Sequence, residues 1–431
     1  MRKAVLTSIV LLAMAGALFA AGSQEGGAPQ SSEPKTLRYA FWGNPTAIGV
    51  EQDIINAYVK LHANVTIEPV VSAYADYHSK ILVMIAGGSS PEVMRIDSYY
   101  FQDFVKVKAL KDVTDFAKRD KVSLSAYFQQ GITENTYDGR LYGLPWGTAA
   151  RYMLINLDVL EKAGIDLPKL DWTWDDYVKI VKAVTKGEGT DKVYGFGFDP
   201  STISSILPWV WANGGDIFDA GRSTFTLDRP EATEAIQRLA DLYTQGYMPS
   251  DTVSATTDIL DRWFVNNRIA MREGAANNIL NLQKVEGIRF EAWPMPGGRQ
   301  KRSTLFKSNI TAIGSSIKDM ESAWDFLKFL RSPDGQGEAM YTQAKRVPPS
   351  IDDPKYWAMY ADPARYPKLI EQNSKEIART YGHNLPLRAG WLEVEQIVKP
   401  MIQSIFLGEN TAQNGMKSAA PKVQAVLDKT K

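Results

Sequence analysis

The chain has 431 residues, more than one ordinary core accommodates, so two domains of roughly 200 residues each are expected. Its 49 acidic residues balance 49 basic ones and 44% of residues are hydrophobic, so no charge surplus points to nucleic acid or to an acidic membrane surface. There is no cysteine, and His62, His78 and His383 lack ligand-like spacing and each read as surface residues; disulfides and metal centres are excluded and no cofactor is expected.

Arg2 and Lys3 followed by the apolar run Ala4 to Ala20 have the charged and hydrophobic parts of a secretory signal, so residues 1–22 are read as a signal peptide. Residues 23–35, built of Ser, Gly, Gln, Glu and Pro, read as a disordered tether. No later stretch is long and apolar enough to span a bilayer, so the mature chain is expected to be soluble outside the cytoplasm. Without a cysteine it is not expected to be a Cys-anchored lipoprotein.

Strands and helices then alternate. Thr36 to Phe41 alternates as a strand and ends in the loop Trp42, Gly43, Asn44, Pro45. Ligands of open α/β sheets lie beyond the carboxyl ends of strands, so this loop is a candidate wall of a site, with strand-end packing as the other reading of Trp42. Ile54, Ile55, Tyr58 and Leu61 mark an amphipathic helix, Val65 to Val71 a second strand, and Tyr77, Ile81, Leu82 and Ile85 another inward helix face. A third strand ends at Asp97, followed by Ser98, Tyr99 and Tyr100. A carboxylate there accepts sugar hydroxyls and a ring stacks on a pyranose, unless Asp97 only caps a helix.

From Tyr137 to Tyr177 a turn-rich lead-in precedes a buried strand (Tyr152 to Leu157), a short helix from about Asp158 to Gly164, and a helix capped by Thr173 with Asp176 completing a capping box. The phrases YDGRLYGLPW, YMLINLDVLEKAGI and DWTWDDY resemble the extracellular (periplasmic) solute-binding proteins of ABC sugar importers, the maltose-binding-protein-like family, whose corresponding phrases run YDGKxYGLP, YNKDLxxKAG and TWDEL. Asn156, Asp158, Ala163, Gly164, Thr173, Trp174 and Asp175 match. Ile155 stands where the family usually has Tyr, so that sugar contact does not carry over. AGGSSPEV before the third strand, TQGYMP, and KDMESAWDFLKFLRSPDGQ are further likenesses, and together they run from about Thr36 to Lys431 in order.

Farther along, GFGFD leads into SILPWVWANGGDIFD, where Trp209 and Asn213 lie one helical turn apart and share a face, Asp216 following; Asn213 to Gly215 reads equally as a turn. Asp228 reads as the cap of a helix with Pro230 in its first turn. In RIAMREGAANNI a buried strand turns through glycine into a helix start. Ala275, Ala276, Asn277 and Asn278 replace the family's usual Trp there and suggest amide hydrogen bonds instead of stacking. WPMPGG (Trp293 to Gly298) reads as a return crossover, Lys318 to Leu330 as an amphipathic helix with Trp324 in the core, and RSPDGQ as the start of another with Pro333 in its first turn. In LPLRAGW, Arg388 and Trp391 are placed to close one side of a cleft. Tyr74, Trp146, Arg151 and Ser308 complete the candidate ligand contacts, and the 11 Trp and 19 Tyr are the aromatic surplus a carbohydrate platform uses.

The resemblance implies an α/β, two-lobed periplasmic-binding-protein fold, each lobe a mixed β-sheet flanked by helices, with a hinge of three crossover segments. Residues 36–148 and 299–347 would form the N-terminal lobe, and 149–298 with 348–431 the C-terminal lobe. It also implies a non-enzymatic, monomeric, extracytoplasmic component of an ABC importer that captures a carbohydrate, a neutral oligosaccharide, by hinge closure and delivers it to the membrane permease. Arg151, Lys307 and Arg388 leave an acidic sugar open. No GxxxxGK[ST], GxGxxG or GxSxG phrase is present after a strand. A secreted glycoside hydrolase, which needs only two carboxylates in an aromatic cleft, is the alternative. A ligand-sensing ectodomain is disfavoured by the lack of a membrane-spanning stretch.

Overall fold

The computed structural model describes residues 33–200, 202–250, 257–345 and 347–430. Residues 1–22, read as a signal peptide, and residues 23–32 of the segment read as a tether lie outside the described residues; Lys35, read as the end of that tether, belongs to the first strand.

Two sheets organise the chain. In the first, six-stranded sheet, β1 (Lys35–Trp42), β2 (Val65–Ser72) and β3 (Val93–Ile96) run parallel. They are joined by β6 (Gly143–Ala150), the long β11 (Thr304–Ile313) and the short β12 (Gly382–His383). β11 is antiparallel to β3 on one side and to β6 on the other. β4 (Thr136–Tyr137) and β5 (Arg140–Leu141) form a separate small hairpin. The second, four-stranded sheet has the order β10-β7-β9-β8: β7 (Tyr152–Asn156), β8 (Tyr194–Gly197), β9 (Ile269–Gly274) and β10 (Phe290–Trp293), with β8 parallel to β9. Helices flank both sheets, as the alternation of sequence periodicities implied. The chain passes from the first sheet to the second at Arg151, between β6 and β7, and returns between β10 and β11 through the Pro- and Gly-rich segment.

Each element follows from its local chemistry. The helix Pro45–Leu61 starts on Asn44, whose side chain accepts from the Ala47 N–H at 3.0 Å, and buries Ile54, Ile55 and Tyr58 while Leu61 stays exposed. The helix Leu157–Ala163 starts one position before Asp158, is capped by Asn156, and ends on Gly164 at φ 68°. The capping box of Thr173 and Asp176 is present at the start of Trp174–Val184, and Trp172 lies edge-on to Tyr177 at 6.3 Å.

Three expectations are corrected. The helix Pro230–Thr244 has Arg229 at its cap with no side-chain bond, so Asp228 does not cap it; Pro230 supplies the pre-set first turn instead. Pro333 precedes the helix Gln336–Gln343, which starts after Gly335, because the chain turns back there with the Gly335 N–H on the Ser332 carbonyl. His78 is buried, not superficial: its Nε2 accepts from the Asp97 N–H at 3.0 Å and its ring stacks on Tyr100 at 3.9 Å.

Trp324 anchors the core beneath the first sheet, 1% exposed, with its indole N–H on Asp120 at 2.8 Å. Around the second sheet the helices Ile203–Ala212, Pro230–Thr244, Trp391–Phe406 and Ala412–Lys429 pack into one apolar cluster. Trp324→Ala should cost about 3–5 kcal/mol, and Thr173→Ala about 1 kcal/mol through the lost cap. Urea unfolding of the two variants against the wild type checks both sizes and their order.

Candidate functional site

Both sheets aim the carboxyl ends of their parallel strands at one cleft, whose cavity measures about 740 Å³. Trp42 ends β1 and Asp97 follows β3 on one side; Asp199 follows β8, and Arg272 and Glu273 close β9 on the other.

The first wall is aromatic. Trp42 meets Tyr74 at 5.6 Å and Trp146 at 5.8 Å between ring centroids. Behind them lies Arg95, 3% exposed, with its guanidinium 3.6 Å from the Trp146 ring and 4.7 Å from that of Trp42. Glu51, fully buried, accepts from Arg95 at 2.5 Å and lies 3.7 Å from Arg331, which also reaches Glu338 at 3.4 Å. Two buried cations thus face two buried carboxyls, and burial pushes the Glu338 carboxyl up to about 7. A bulge aims Trp146 into the cleft: Gly147, at φ 58° and packed against Val347, is the extra residue where the β6–β11 register shifts between Ser308 and Asn309.

Polar groups complete that side. Asp97 is both helix cap and cavity wall. It accepts from the Tyr99 N–H at 3.1 Å, the Tyr74 hydroxyl at 3.3 Å, and the Lys307 ammonium at 2.7 and 2.8 Å. Its four lone-pair positions are therefore taken by protein donors. Burial opposes the Lys307 charge, but Asp97 outweighs it and the pKa lies above the usual lysine value; the ammonium also sits 4.2 Å over the Tyr99 ring. Burial holds the Tyr74 phenol well above its ordinary pKa, keeping it a donor, and lowers His78 to about 4, keeping it neutral.

The opposite side is polar. Arg151, at the crossing between the sheets, lies 3.5 Å from Glu273 and reaches Ser204 at 3.4 Å. Trp209 donates its indole N–H to the other Glu273 oxygen at 3.4 Å. Burial pushes the Glu273 carboxyl up to about 7, with Arg151 opposing. Arg272 pairs with Asp261, and burial lowers its pKa. Asn278 donates to Asp261 and accepts from the Ala275 N–H at 3.0 Å, which fixes the helix start Ala276–Leu282. Every cation on the cavity wall thus has a carboxylate partner. Among the described residues no His, Cys, Asp and Glu cluster is placed to hold a metal ion.

Of the sequence candidates, the structure brings Trp42, Tyr74, Asp97, Tyr99, Trp146, Arg151, Asn277 and Asn278 to this cavity. The others do not line it. Asn44 is a helix cap. Trp209, 1% exposed, lies in the core because its helix is buried on every face, and Asn213 at the end of that helix donates to the Glu231 carbonyl at 2.7 Å. Asp216 accepts from the Trp211 indole at 2.9 Å. Ser308 is buried with its hydroxyl on the Gly147 carbonyl at 2.8 Å. Arg388 binds the carbonyls of Arg222 and Leu427, and Trp391, 2% exposed, packs against Phe218. Asp199, Arg272 and Glu273 were missed as site residues, although the strand-end rule that selects Trp42 and Asp97 selects them too.

A family model described as bacterial extracellular solute-binding protein matches residues 43–337. A Brucella abortus protein described as a binding protein is 26% identical over 360 residues, 81% of this chain and 83% of its own length. An arabinooligosaccharide-binding protein of Halalkalibacterium halodurans is 24% identical over 357 residues, 78% of this chain and 71% of its own. A solved ABC substrate-binding protein of Listeria monocytogenes, in complex with cycloalternan, has a TM-score of 0.81 at 21% identity, covering 92% of this chain and 100% of that one. At that identity the likeness is one of fold.

Beside the cleft, Glu134 accepts from the Ser308 N–H at 2.5 Å and burial pushes its carboxyl up to about 8. Folded Glu134 keeps its proton to about pH 8, whereas an unfolded carboxyl, near the ordinary value of 4.5, has lost it. Through this group stability falls as pH rises across that window. Glu134→Gln should remove that part of the fall, so its melting temperature should gain on the wild type's between pH 5 and 8.5. A constant difference across that range contradicts the assignment.

Proposed function

This chain belongs to the family of bacterial extracellular solute-binding proteins, and from that premise we propose that it is the extracytoplasmic capture component of an ABC importer for a neutral oligosaccharide. One observation carries the ligand class: a cleft with an aromatic wall on one side, hydrogen-bonding groups on both, and each cation paired with a carboxylate. Rings suit the apolar faces of pyranoses, amides and hydroxyls suit their edges, and paired cations favour an uncharged ligand. An arabinooligosaccharide-binding relative and a similar fold solved in complex with cycloalternan agree with that class. The cavity volume lies in the usual range of small-molecule sites, about 300–1,000 Å³.

In this reading residues 1–22 export the chain. Residues 36–148 with 299–347 form one lobe, and 149–298 with 348–431 the other, except that Ala149 and Ala150 of β6 and Gly382–His383 of β12 pair into the first lobe's sheet. The lobes are joined where the chain passes between the sheets at Arg151, at 294–303, and a third time after Gln343. Ligand contacts to both sides favour the closed form, because only differential affinity shifts such an equilibrium. The closed, monomeric protein then presents the ligand to the permease unaltered. Among the described residues no helix is long and apolar enough to cross a membrane.

Thermal shift and calorimetry over a panel of neutral and acidic mono- and oligosaccharides test this. A neutral oligosaccharide should raise the melting temperature and come back uncleaved. Trp42→Ala and Trp146→Ala should each weaken it by about tenfold or more, on the order of 1.4 kcal/mol. New reducing ends would favour the hydrolase, and unchanged affinity in both variants would remove the stacking wall from the account.

A further inference from the structure

Arg151 and Glu273 stand apart from the other charge pairs of the cleft. Lys307 makes two hydrogen bonds with Asp97, and Arg272 hydrogen-bonds Asp261. Arg151 and Glu273 approach only to 3.5 Å as an ion pair, and the Glu273 oxygen facing Arg151 makes no hydrogen bond among the described residues. Glu273 is 7% exposed and lies at the carboxyl end of β9, whereas Arg151 is a quarter exposed to the cavity. The carboxyl is therefore held at the base of the site, and the guanidinium is what a ligand meets.

We propose that Glu273 is a specificity-determining positioning residue: as a carboxylate it neutralises Arg151 and keeps the cleft selective for uncharged ligands, and as a carboxylic acid it leaves Arg151 to accept a ligand bearing a carboxylate, such as an oligosaccharide containing a uronic acid. This builds on the reading of the cleft as an oligosaccharide site. A buried carboxyl with one unhydrogen-bonded cation is easily protonated, and burial pushes Glu273 up to about 7, within reach of external pH. The groups acting on it are Arg151 from the crossing, Asp199 beyond β8, Arg272 on its own strand, Tyr177 from the helix Trp174–Val184, and the Trp209 indole. Of the ionic groups among them, Arg151 and Arg272 favour the carboxylate and Asp199 the acid; Arg272 is engaged by Asp261, which leaves Arg151 as the group released on protonation. Glu134 and Glu338 are also shifted upward but contact Ser308 and Arg331, not Arg151.

The sign follows from linkage. An anionic ligand beside Arg151 repels ionised Glu273, so capture takes up a proton and affinity falls as pH rises through neutrality. A uronic acid is itself ionised throughout that range. Calorimetric titration between pH 5.5 and 8.5 with a neutral oligosaccharide and its uronic-acid-containing counterpart is the test, on the wild type and on Glu273→Gln. In the wild type the acidic ligand should weaken by up to about tenfold per pH unit above neutrality while the neutral ligand changes little, and two buffers of different ionisation enthalpy should report proton uptake with the acidic ligand only. In Glu273→Gln the slope should vanish and the acidic ligand should bind at pH 8 as it does to the wild type at pH 6. Equal slopes in both proteins, or no proton uptake by the wild type, overturn the proposal; the second readout needs no variant. Neutral binding with no acidic binding at pH 5.5 overturns it alone, and a wild type that binds neither ligand overturns the oligosaccharide reading with it.

Discussion

A charge taken out of water without a partner costs several kcal/mol, and the cleft of this protein is arranged around that constraint. Lys307 sits on Asp97, Arg151 by Glu273, Arg272 on Asp261, and beneath the aromatic wall Arg95 and Arg331 face Glu51 and Glu338. Neutralised pairs leave a site that is strongly polar yet carries little net field. Such a site rewards many directed hydrogen bonds over one strong charge contact, which is the pattern a polyhydroxylated ligand offers.

The pairs also set shape. Arg95 is pinned by Glu51 on one side and lies against Trp42 and Trp146 on the other, so two rings from different strands are held as one wall. Asp97 joins three separate segments: it caps the helix Ser98–Lys106, orients the Tyr74 hydroxyl and holds Lys307 on β11. Arg151 has a double position, as a cavity wall and as the residue at which the chain leaves one sheet for the other. In the proposed function, ligand contacts to it would act directly on a segment between the lobes.

Much of this was legible in the sequence, for identifiable reasons. Period-two and period-3.6 patterns give β2, the helix Trp174–Val184 and the Trp324 core, because each buries one face, and β1 is legible from its alternation although Ala40 on its other face is buried too. The place of Trp42 and Asp97 on the cavity wall follows from the rule that clefts lie beyond strand ends, and Gly164 and Thr173 from cap chemistry. Where reasoning failed, burial was two-sided or the partner was remote. The helix Ile203–Ala212 is buried all round, so a shared face for Trp209 and Asn213 says nothing about a cleft. Trp391 and Arg388 sit in a turn of inviting composition, yet their partners, Phe218, Arg222 and Leu427, are distant in sequence. Glu273 stands at a strand end as Asp97 does, but the partner that gives it a role, Arg151, is remote in sequence.

In the proposed function, a ligand bridging the two walls draws them together. Small-angle X-ray scattering of the purified protein, with and without a saturating oligosaccharide identified by the binding panel, measures that directly. Closure around the ligand predicts a smaller radius of gyration and a shortened maximum dimension in the bound state. Superimposable profiles at saturation would contradict it.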